Sequence, residues 1–388
     1  MRSDRNVPVL ASTARTPVGK FGGSLRELDA VALGGAAVAG ALDRAPGAVP
    51  DHVFLGNVVQ GGNGQNPARQ AGVRGGLPRT VPATTMNDVC LASMTATGIA
   101  ATMIRAGEIE TAVVGGFDSM SRALHGVQIR RAPRVGEPAM TDMLVRDGLW
   151  CALDERGMGE ISDEENIRLG IDRESQDAFA LESHRRAQAA TQSGRLGEEI
   201  DASRTSPLKD DEGIRPSTSG DSLAALSPAF VPDGSITAGN ASQMSDAGAA
   251  GVLISLEKAR ALGLTPIVEV VDRVMVAGPD SSLHLKPAMA ARQLLERHGM
   301  TPDQIGLWEV NEAFAGVVVA TARDLDISLD AVNVNGGAIA IGHPLGASGF
   351  RIIQTLSLEL QHRSVEYGMA TICGGGGQGE AMLLRLVG

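Results

Sequence analysis

An apolar run, Val7–Ser12, is followed by an alanine- and leucine-rich segment, Leu28–Leu42, which predicts a strand and then a helix. Pro50-Asp51-His52-Val53 then leads into a short strand that ends at Asn57. The same order returns late in the chain as strand Ile267–Val271, helix Ala288–Arg297, the turn Thr301-Pro302-Asp303-Gln304-Ile305, and strand Leu307–Val310 ending at Asn311. The next landmarks keep step: Cys90 lies 90 − 57 = 33 positions after Asn57, and His343 lies 343 − 311 = 32 positions after Asn311. Each is followed by a helix-like run, Ser93–Ala106 and Ser348–Leu360. Strands Thr111–Val114 and Met369–Ile372 then run into Gly115-Gly116 and Cys373-Gly374-Gly375. This alternation predicts an α/β fold of two duplicated halves, built around largely parallel sheets and layered with helices about a pseudo-twofold axis. Chance likeness between two α/β segments is the competing reading, and the matched spacing weighs against it. In such a pair of halves, Cys90 and His343 occupy equivalent helix N-termini and face each other.

The middle of the chain breaks the pattern. Met120–Ser162 is irregular, with Pro133, Pro138 and many charges. A clear helix follows over Arg173–Ser193, with Asp172 as its N-cap, Gly194 at its end, and Phe179, Leu181 and Ala187 on a buried face. The polar stretch Asp201–Gly220 reads as exposed loop. The predicted division is therefore an N-terminal half over 1–118, completed by about 251–262, an inserted loop domain over 119–250 that covers the site, and a C-terminal half over 263–388.

Composition narrows the function class. The chain has 388 residues, 43% hydrophobic and 20% charged, as in a packed globular protein of two or three domains. A net charge of −11 argues against a general nucleic-acid or anionic-membrane surface. The longest apolar stretches fall short of a membrane span. Met1–Asn6 is polar and leads directly into a strand, so no signal peptide is expected. Three widely spaced cysteines make no disulfide framework, and a reducing cytoplasm is the expected location. The 49 glycines cluster, as at Gly61-Gly62, Gly336-Gly337 and Gly374–Gly377, where backbone approaches a ligand or turns tightly.

Two of the cysteines and one histidine carry chemical signals. Cys90, in Asn87-Asp88-Val89-Cys90-Leu91-Ala92-Ser93, stands at a loop-to-helix junction, where the helix N-terminus is expected to lower the thiol pKa and prepare a nucleophile. His343 lies within the glycine-rich block Asn333–Gly349, with Pro344 at the first helical turn. His52, His125, His184, His284, His298 and His362 lie in ordinary polar or helical surroundings and read as surface or structural. No pair of them has metal-ligand spacing. Cys373 closes a strand and enters a glycine turn able to aim N–H groups at an oxyanion. Gly374, Gly376 and Gly379 fit a loose dinucleotide-loop pattern, but the run lies too near the C-terminus for the βαβ unit such a loop requires. Cys151 reads as structural.

Taken together, the Cys90 segment, Asn311-Glu312-Ala313-Phe314-Ala315, the Gly336–Gly349 block and the Cys373–Gly379 turn resemble those of the thiolase family, over essentially the whole chain. Asn240-Ala241-Ser242-Gln243-Met244-Ser245-Asp246 and Ser175–Ala180 resemble further family segments. The resemblance implies ping-pong acyl transfer between coenzyme A thioesters, either cleaving 3-ketoacyl-CoA or condensing two acyl-CoA such as acetyl-CoA. The Asn240–Gln243 segment leans towards cleavage. Cys90 would be the acylated nucleophile, His343 its proton acceptor and an oxyanion ligand, and Asn311 the residue orienting a water in that oxyanion hole. Cys373 would be the acid/base at the α-carbon, and the N–H groups of Cys90 and Gly375 would form a second oxyanion hole. Ser242 would lie along the pantetheine arm, with Met158, Ala241 and Phe314 as further coenzyme contacts. No metal or resident cofactor is implied, and a homodimer or homotetramer is.

Three departures from the family pattern bear on substrate choice: Leu91-Ala92-Ser93 where small glycine-containing sequences usually follow the nucleophile, Gly157 where a histidine often precedes Met-Gly, and Asp246-Ala247-Gly248 in inverted order. Leu91, bulky beside the nucleophile, is expected either to narrow the acyl pocket or to reshape the helix start. Two alternatives stay open. One is a β-ketoacyl synthase-like condensing enzyme, which uses His or Asn where Cys373 stands; the other is a non-catalytic acyl-CoA-binding relative.

Overall fold

The computed structural model of the protein describes residues 6–131, 135–205 and 207–387. Pro133 and the polar Met1–Arg5 lie outside them. The first half runs β1 (Pro8–Arg15), α1 (Ala30–Asp43), β2 (His52–Gly56), α2 (Pro67–Arg74), β3 (Ala83–Met86), α3 (Ala92–Ala106) and β4 (Thr111–Ser119). After the insert, with its helices α4 (Met158–Leu169), α5 (Arg173–Gln192) and α6 (Arg195–Glu199), strand β5 (Ser245–Ser255) completes it. The second half runs β6 (Val268–Ala277), α7 (Lys286–His298), β7 (Leu307–Val310), α8 (Ala315–Leu325), α9 (Leu345–Arg363), β8 (Tyr367–Gly374) and β9 (Gln378–Leu386).

These strands form one sheet in the order β7-β8-β9-β6-β1-β5-β4-β2-β3, with the short strand Gly19–Lys20 paired to β5 off this path. From either edge to the middle the order is the same. β2, β4, β5 and β1 correspond to β7, β8, β9 and β6, and an isolated parallel bridge between Trp308 and Val332 stands where β3 pairs β2. The halves join where β1 meets β6 antiparallel, at Val9–Glu269 and Leu10–Val268. The expectation of largely parallel sheets is corrected. Only β2–β3, β2–β4 and β7–β8 are parallel, because β5 and β9 each return antiparallel beside the strand before them. Gly115 and Gly116 lie inside β4 rather than at its exit, paired with Ala250 and Ala249.

Strand alternation sorts side chains between layers. In β4, Ala112 and Val114 face the central core, while Val113 and Phe117 face α1 and α2. In β9, Met382 and Leu384 point inward, and Ala381 and Leu383 point towards α7 and α8. Helices α3 and α9 form the middle layer, packed on each other and on strands of both halves. Their small residues allow that approach, and the Phe350 N–H donates to Ser93 Oγ at 2.8 Å where their first turns meet. Such a helix is apolar on all sides. The 18 residues Val89–Ala106 reach a mean hydropathy of 1.4, as long and apolar as a membrane-crossing segment, so the expectation that no stretch reaches that length is corrected. Here its helical part, α3, is a largely buried helix of the core.

The chain leaves the sheet after Ser119 and re-enters it at Ser245, so residues 245–250 belong to strand β5. Within the insert, α5 starts as expected, with Asp172 Oδ1 accepting from the Ser175 N–H at 2.8 Å. Phe179 and Ala187 are buried and Leu181 is half-buried. The stretch 201–220 is not simply exposed loop. Asp211 is buried and takes both terminal nitrogens of Arg15 at 2.7 and 2.8 Å, while Arg15 Nε reaches Glu199 at 2.7 Å. Burial alone would lower the Arg15 pKa, but the two carboxylates outweigh it and hold the guanidinium charged. This pairing fastens the insert to β1.

Candidate active site

The loop between β3 and α3 positions Cys90. Asn87 Oδ1 accepts from the Val89 N–H at 3.1 Å, and Val89 itself sits at φ 59, a left-handed conformation strained for a β-branched residue by about 1–3 kcal/mol. Cys90 follows, buried, with its own N–H and that of Gly375 directed at its sulfur. The expected lowering of the thiol pKa is corrected. Burial pushes it up to about 12, the N–H groups offset only part of that, and the carboxylates of Asp118 and Asp88 add to the rise. Cys90 therefore rests as a neutral thiol.

His343 precedes α9, as Cys90 precedes α3. Its N–H donates to the Gln243 carbonyl at 2.9 Å. Its Nδ1 lies 2.6 Å from Ser348 Oγ, and that hydroxyl donates its one proton to the Pro344 carbonyl at 2.8 Å. Nδ1 must therefore carry the hydrogen, which leaves a bare lone pair on Nε2. Nε2 is buried and has no partner among the described residues. Burial, with Arg351 adding to it, pushes this imidazole down to about 3, so it rests neutral. Asn311, at the exit of β7, likewise buries Oδ1 and Nδ2 without partners, while its N–H is tied to the Thr371 carbonyl at 3.0 Å. Nε2 and Oδ1 are thus free to accept a proton or a water hydrogen, and Nδ2 to donate to an oxygen.

Cys373 lies on β8 opposite Gly379, buried among Phe314, Ala313, Ile236 and Leu283. Burial raises its thiol pKa, and the neighbouring Cys90 raises it further. The β8–β9 turn then passes through Gly376 and Gly377 at φ 79 and 73, which presents Gly375 to Cys90. Gly374 is required by close approach: a Cβ there would fall 1.7 Å from Leu91 Cδ1. Leu91 is fully buried against this turn and does not line the cavity beside it, so the expected narrowing of an acyl pocket is not what its side chain does.

That cavity, of about 590 Å³, opens beside Val89, Gly375 and Gly376, with Met158, Trp150 and Arg146 on its walls. Cys151 also lines it, in the short strand pair Trp150–Cys151 and Arg156–Gly157. Of the other expected coenzyme contacts, Ala241 bridges Phe314 backbone to backbone and the Ser242 N–H donates to the Ala313 carbonyl at 3.1 Å. Ala241 and Phe314 pack with Cys373 rather than on the cavity wall, and Met158 touches both regions. Gly157 is the N-cap of α4 and makes no side-chain contact of its own.

Ser348 and Asp118 were not anticipated. Asp118, at the end of β4, accepts from Asn57 Nδ2 at 2.7 Å, the Val59 N–H at 3.0 Å and the Gly346 N–H at 2.6 Å, tying the start of α9 to the loop after β2. Burial pushes its carboxyl up to about 7, opposed by these donors. An acid at the end of a fully apolar strand was the available signal for Asp118. Ser348 was marked only by its distance of five residues from His343.

The sequence profile described as Thiolase, N-terminal domain matches residues 8–258, and that described as Thiolase, C-terminal domain matches 264–386. A probable acetyl-CoA acetyltransferase of Mycobacterium leprae is 44% identical, covering 98% of this chain and 99% of its own length. An acetyl-CoA acetyltransferase of Cupriavidus necator is 41% identical over 97% and 98%. The crystal structure of the Bacillus anthracis acetyl-CoA acetyltransferase superposes with a TM-score of 0.94 at 34% identity, covering 98% of this chain and 99% of that one.

Proposed function

The chain belongs to the thiolase family, and on that premise we propose that Cys90 carries the acyl group in a two-thiol acyl transfer between coenzyme A thioesters. As a thiolase it is an acyltransferase. The observation that supports the assignment is the packing of the turn that Cys373 begins onto the loop of Cys90, with Gly374 against Leu91 and Gly375 against Val89. One element thus brings a second thiol and an oxyanion donor to the first.

In the cleavage direction, His343 Nε2 takes the Cys90 proton as the sulfur attacks the keto carbon of a 3-ketoacyl-CoA. The bond between the α- and β-carbons breaks, and the departing carbanion takes the Cys373 proton to give acetyl-CoA. The acyl group stays on Cys90, its carbonyl oxygen held by the N–H groups of Cys90 and Gly375. The Cys373 thiolate then deprotonates an incoming CoA thiol, whose sulfur attacks the acyl group, and Cys90 regains its proton from His343. Condensation of two acetyl-CoA is the reverse. Once it holds the Cys90 proton, His343 Nε2–H donates to the thioester oxygen together with a water held by Asn311, in both directions. Two thiols that burial keeps protonated suit this scheme, since one begins as a proton donor.

Acetyl-CoA is the proposed acyl unit, as in the names of the relatives. We place the pantetheine arm in the cavity lined by Met158, and Ser242, Ala241 and Phe314 as supports of its Cys373 side. Exposed apolar side chains at Ile129, Val135, Met140 and Leu153 support a homo-oligomer, to be checked by sedimentation. A reducing cytoplasm would keep the three free cysteines as thiols.

Thiolysis of acetoacetyl-CoA and of a longer 3-ketoacyl-CoA, measured side by side, tests the reading, with faster turnover of acetoacetyl-CoA expected. Intact mass after incubation with acetyl-CoA should show an adduct in the wild type and in Cys373→Ala, which stalls there. An adduct persisting in Cys90→Ala would refute the nucleophile assignment.

A further inference from the structure

Beneath the nucleophile loop, three oxygens stand in a row. Thr95 Oγ1, on α3, lies 2.5 Å from Asp88 Oδ2 and 2.8 Å from Glu380 Oε2. The far oxygen of Glu380 accepts from Arg273 on β6 at 2.6 Å, and Arg273 reaches it by crossing Gly98, where a Cβ would fall 2.0 Å from its Cδ. The far oxygen of Asp88, Oδ1, is buried with no partner among the described residues.

A threonine hydroxyl has one hydrogen, and here it meets two carboxyl oxygens at hydrogen-bond distance. It donates to one of them, so the other contact needs a hydrogen from the carboxyl itself. Glu380, facing Arg273, is the partner that keeps its charge. Asp88, whose second oxygen has nothing to bind, is the one suited to be a neutral acid. We propose that Asp88 and Glu380 hold one proton between them at neutral pH, seated on Asp88, and that this chain from Asp88 through Thr95 and Glu380 to Arg273 is a positioning device that clamps the nucleophile loop onto strand β9. The proposal deepens the assignment of Cys90 as nucleophile and rests on it for its kinetic consequence.

The placement fits that task. Asp88 precedes the strained Val89 and the Cys90 thiol, and Glu380 pairs with Ile372, the residue before Cys373. The clamp therefore ties together the two segments that carry the thiols. The charged group facing the pair is Arg273 from β6, and the titratable one is the neutral thiol of Cys90 from the loop of Asp88; Asp272 of β6 is engaged instead with Arg297 and His298. Burial pushes both carboxyls up, Glu380 the further, to about 7 with Arg273 opposing; it is the geometry, Arg273 on Glu380 and the bare Oδ1 of Asp88, that seats the proton on Asp88. A second ionisation would set two carboxylates against one hydroxyl and loosen the loop.

Asp88→Asn mimics the neutral acid and keeps a donor for Thr95, whereas Asp88→Ala removes it. Acylation of Cys90 by acetyl-CoA, followed by mass, should stay within about threefold of wild type in Asp88→Asn and fall about tenfold or more in Asp88→Ala. The wild-type rate relative to Asp88→Asn should decline as pH rises above neutral. The proposal is overturned if Asp88→Asn falls as far as Asp88→Ala, or if that ratio is independent of pH. Infrared difference spectra of wild type against Asp88→Asn supply a measurement free of the Cys90 assignment. A protonated-carboxyl stretch lost in the variant supports the shared proton, and no such band refutes it, whether or not Cys90 is the acylated thiol.

Discussion

A buried neutral thiol at the start of α3 and a buried neutral imidazole at the start of α9 set the terms for chemistry at single residues. Cys90 rests protonated, since burial pushes its thiol up to about 12. Alkylation of the free enzyme at Cys90 by iodoacetamide should therefore keep rising with pH beyond 9, and a plateau near neutrality would contradict the neutral resting state. The tautomer of His343 depends on Ser348, which has no hydrogen to spare for Nδ1. Ser348→Ala should lower kcat about tenfold with a smaller change in KM, because the imidazole loses the partner that keeps Nε2 bare. Equal loss in both parameters would point instead to a binding role. Cys90, His343 and Cys373 were legible in the sequence because reactive residue types stand in glycine-rich or helix-start settings. Ser348 and Asp118 were not, because their partners are brought to them by α9 and β4 from elsewhere in the chain.

Elements were legible where periodicity and caps speak and illegible where partners decide. Strand β7 has the bounds read from its apolar run, and α5 starts at the cap named for it. Strand direction leaves no trace in periodicity, and so the mixed sheet was read as largely parallel. Burial of Asp211 was hidden because its partner, Arg15, lies 196 positions away. Arg15→Ala would leave two buried carboxylates uncompensated, at a cost of about 3–5 kcal/mol, and should open the insert to proteolysis ahead of the sheet. Unchanged thermal unfolding and cleavage would remove that role. Leu91, packed on Gly374, acts at the seam between helix and turn. Leu91→Ala should cost about 2–5 kcal/mol and slow turnover alike for short and medium acyl chains. A shift in chain-length preference would restore it to the acyl pocket.

Across the whole molecule, imidazoles buried in their neutral form weaken the fold in acid, while the raised carboxyls of Asp118 and Glu380 act in the opposite sense. Burial lowers His284 and His184 to about 4, with Arg215 adding to the effect at His184, and lowers His343 to about 3. Unfolded histidines titrate near 6.5, so below that value the unfolded chain binds more protons. Stability from these groups is complete above about 6.5 and is lost as pH falls towards 4. Denaturant titrations at pH 4.5, 5.5 and 7 should show His284→Gln gaining stability relative to wild type as pH falls; a difference between the two proteins that is independent of pH would exclude that histidine. The duplication and the central pair of helices were legible from spacing alone, whereas their shared burial was visible only once both halves stood together. That shared layer has a consequence for how the enzyme can be divided. Helices α3 and α9 each lie against strands of both halves, so neither half encloses a finished interior. Fragments 1–262 and 263–388 made separately should each aggregate, while the two produced together should reconstitute one soluble enzyme.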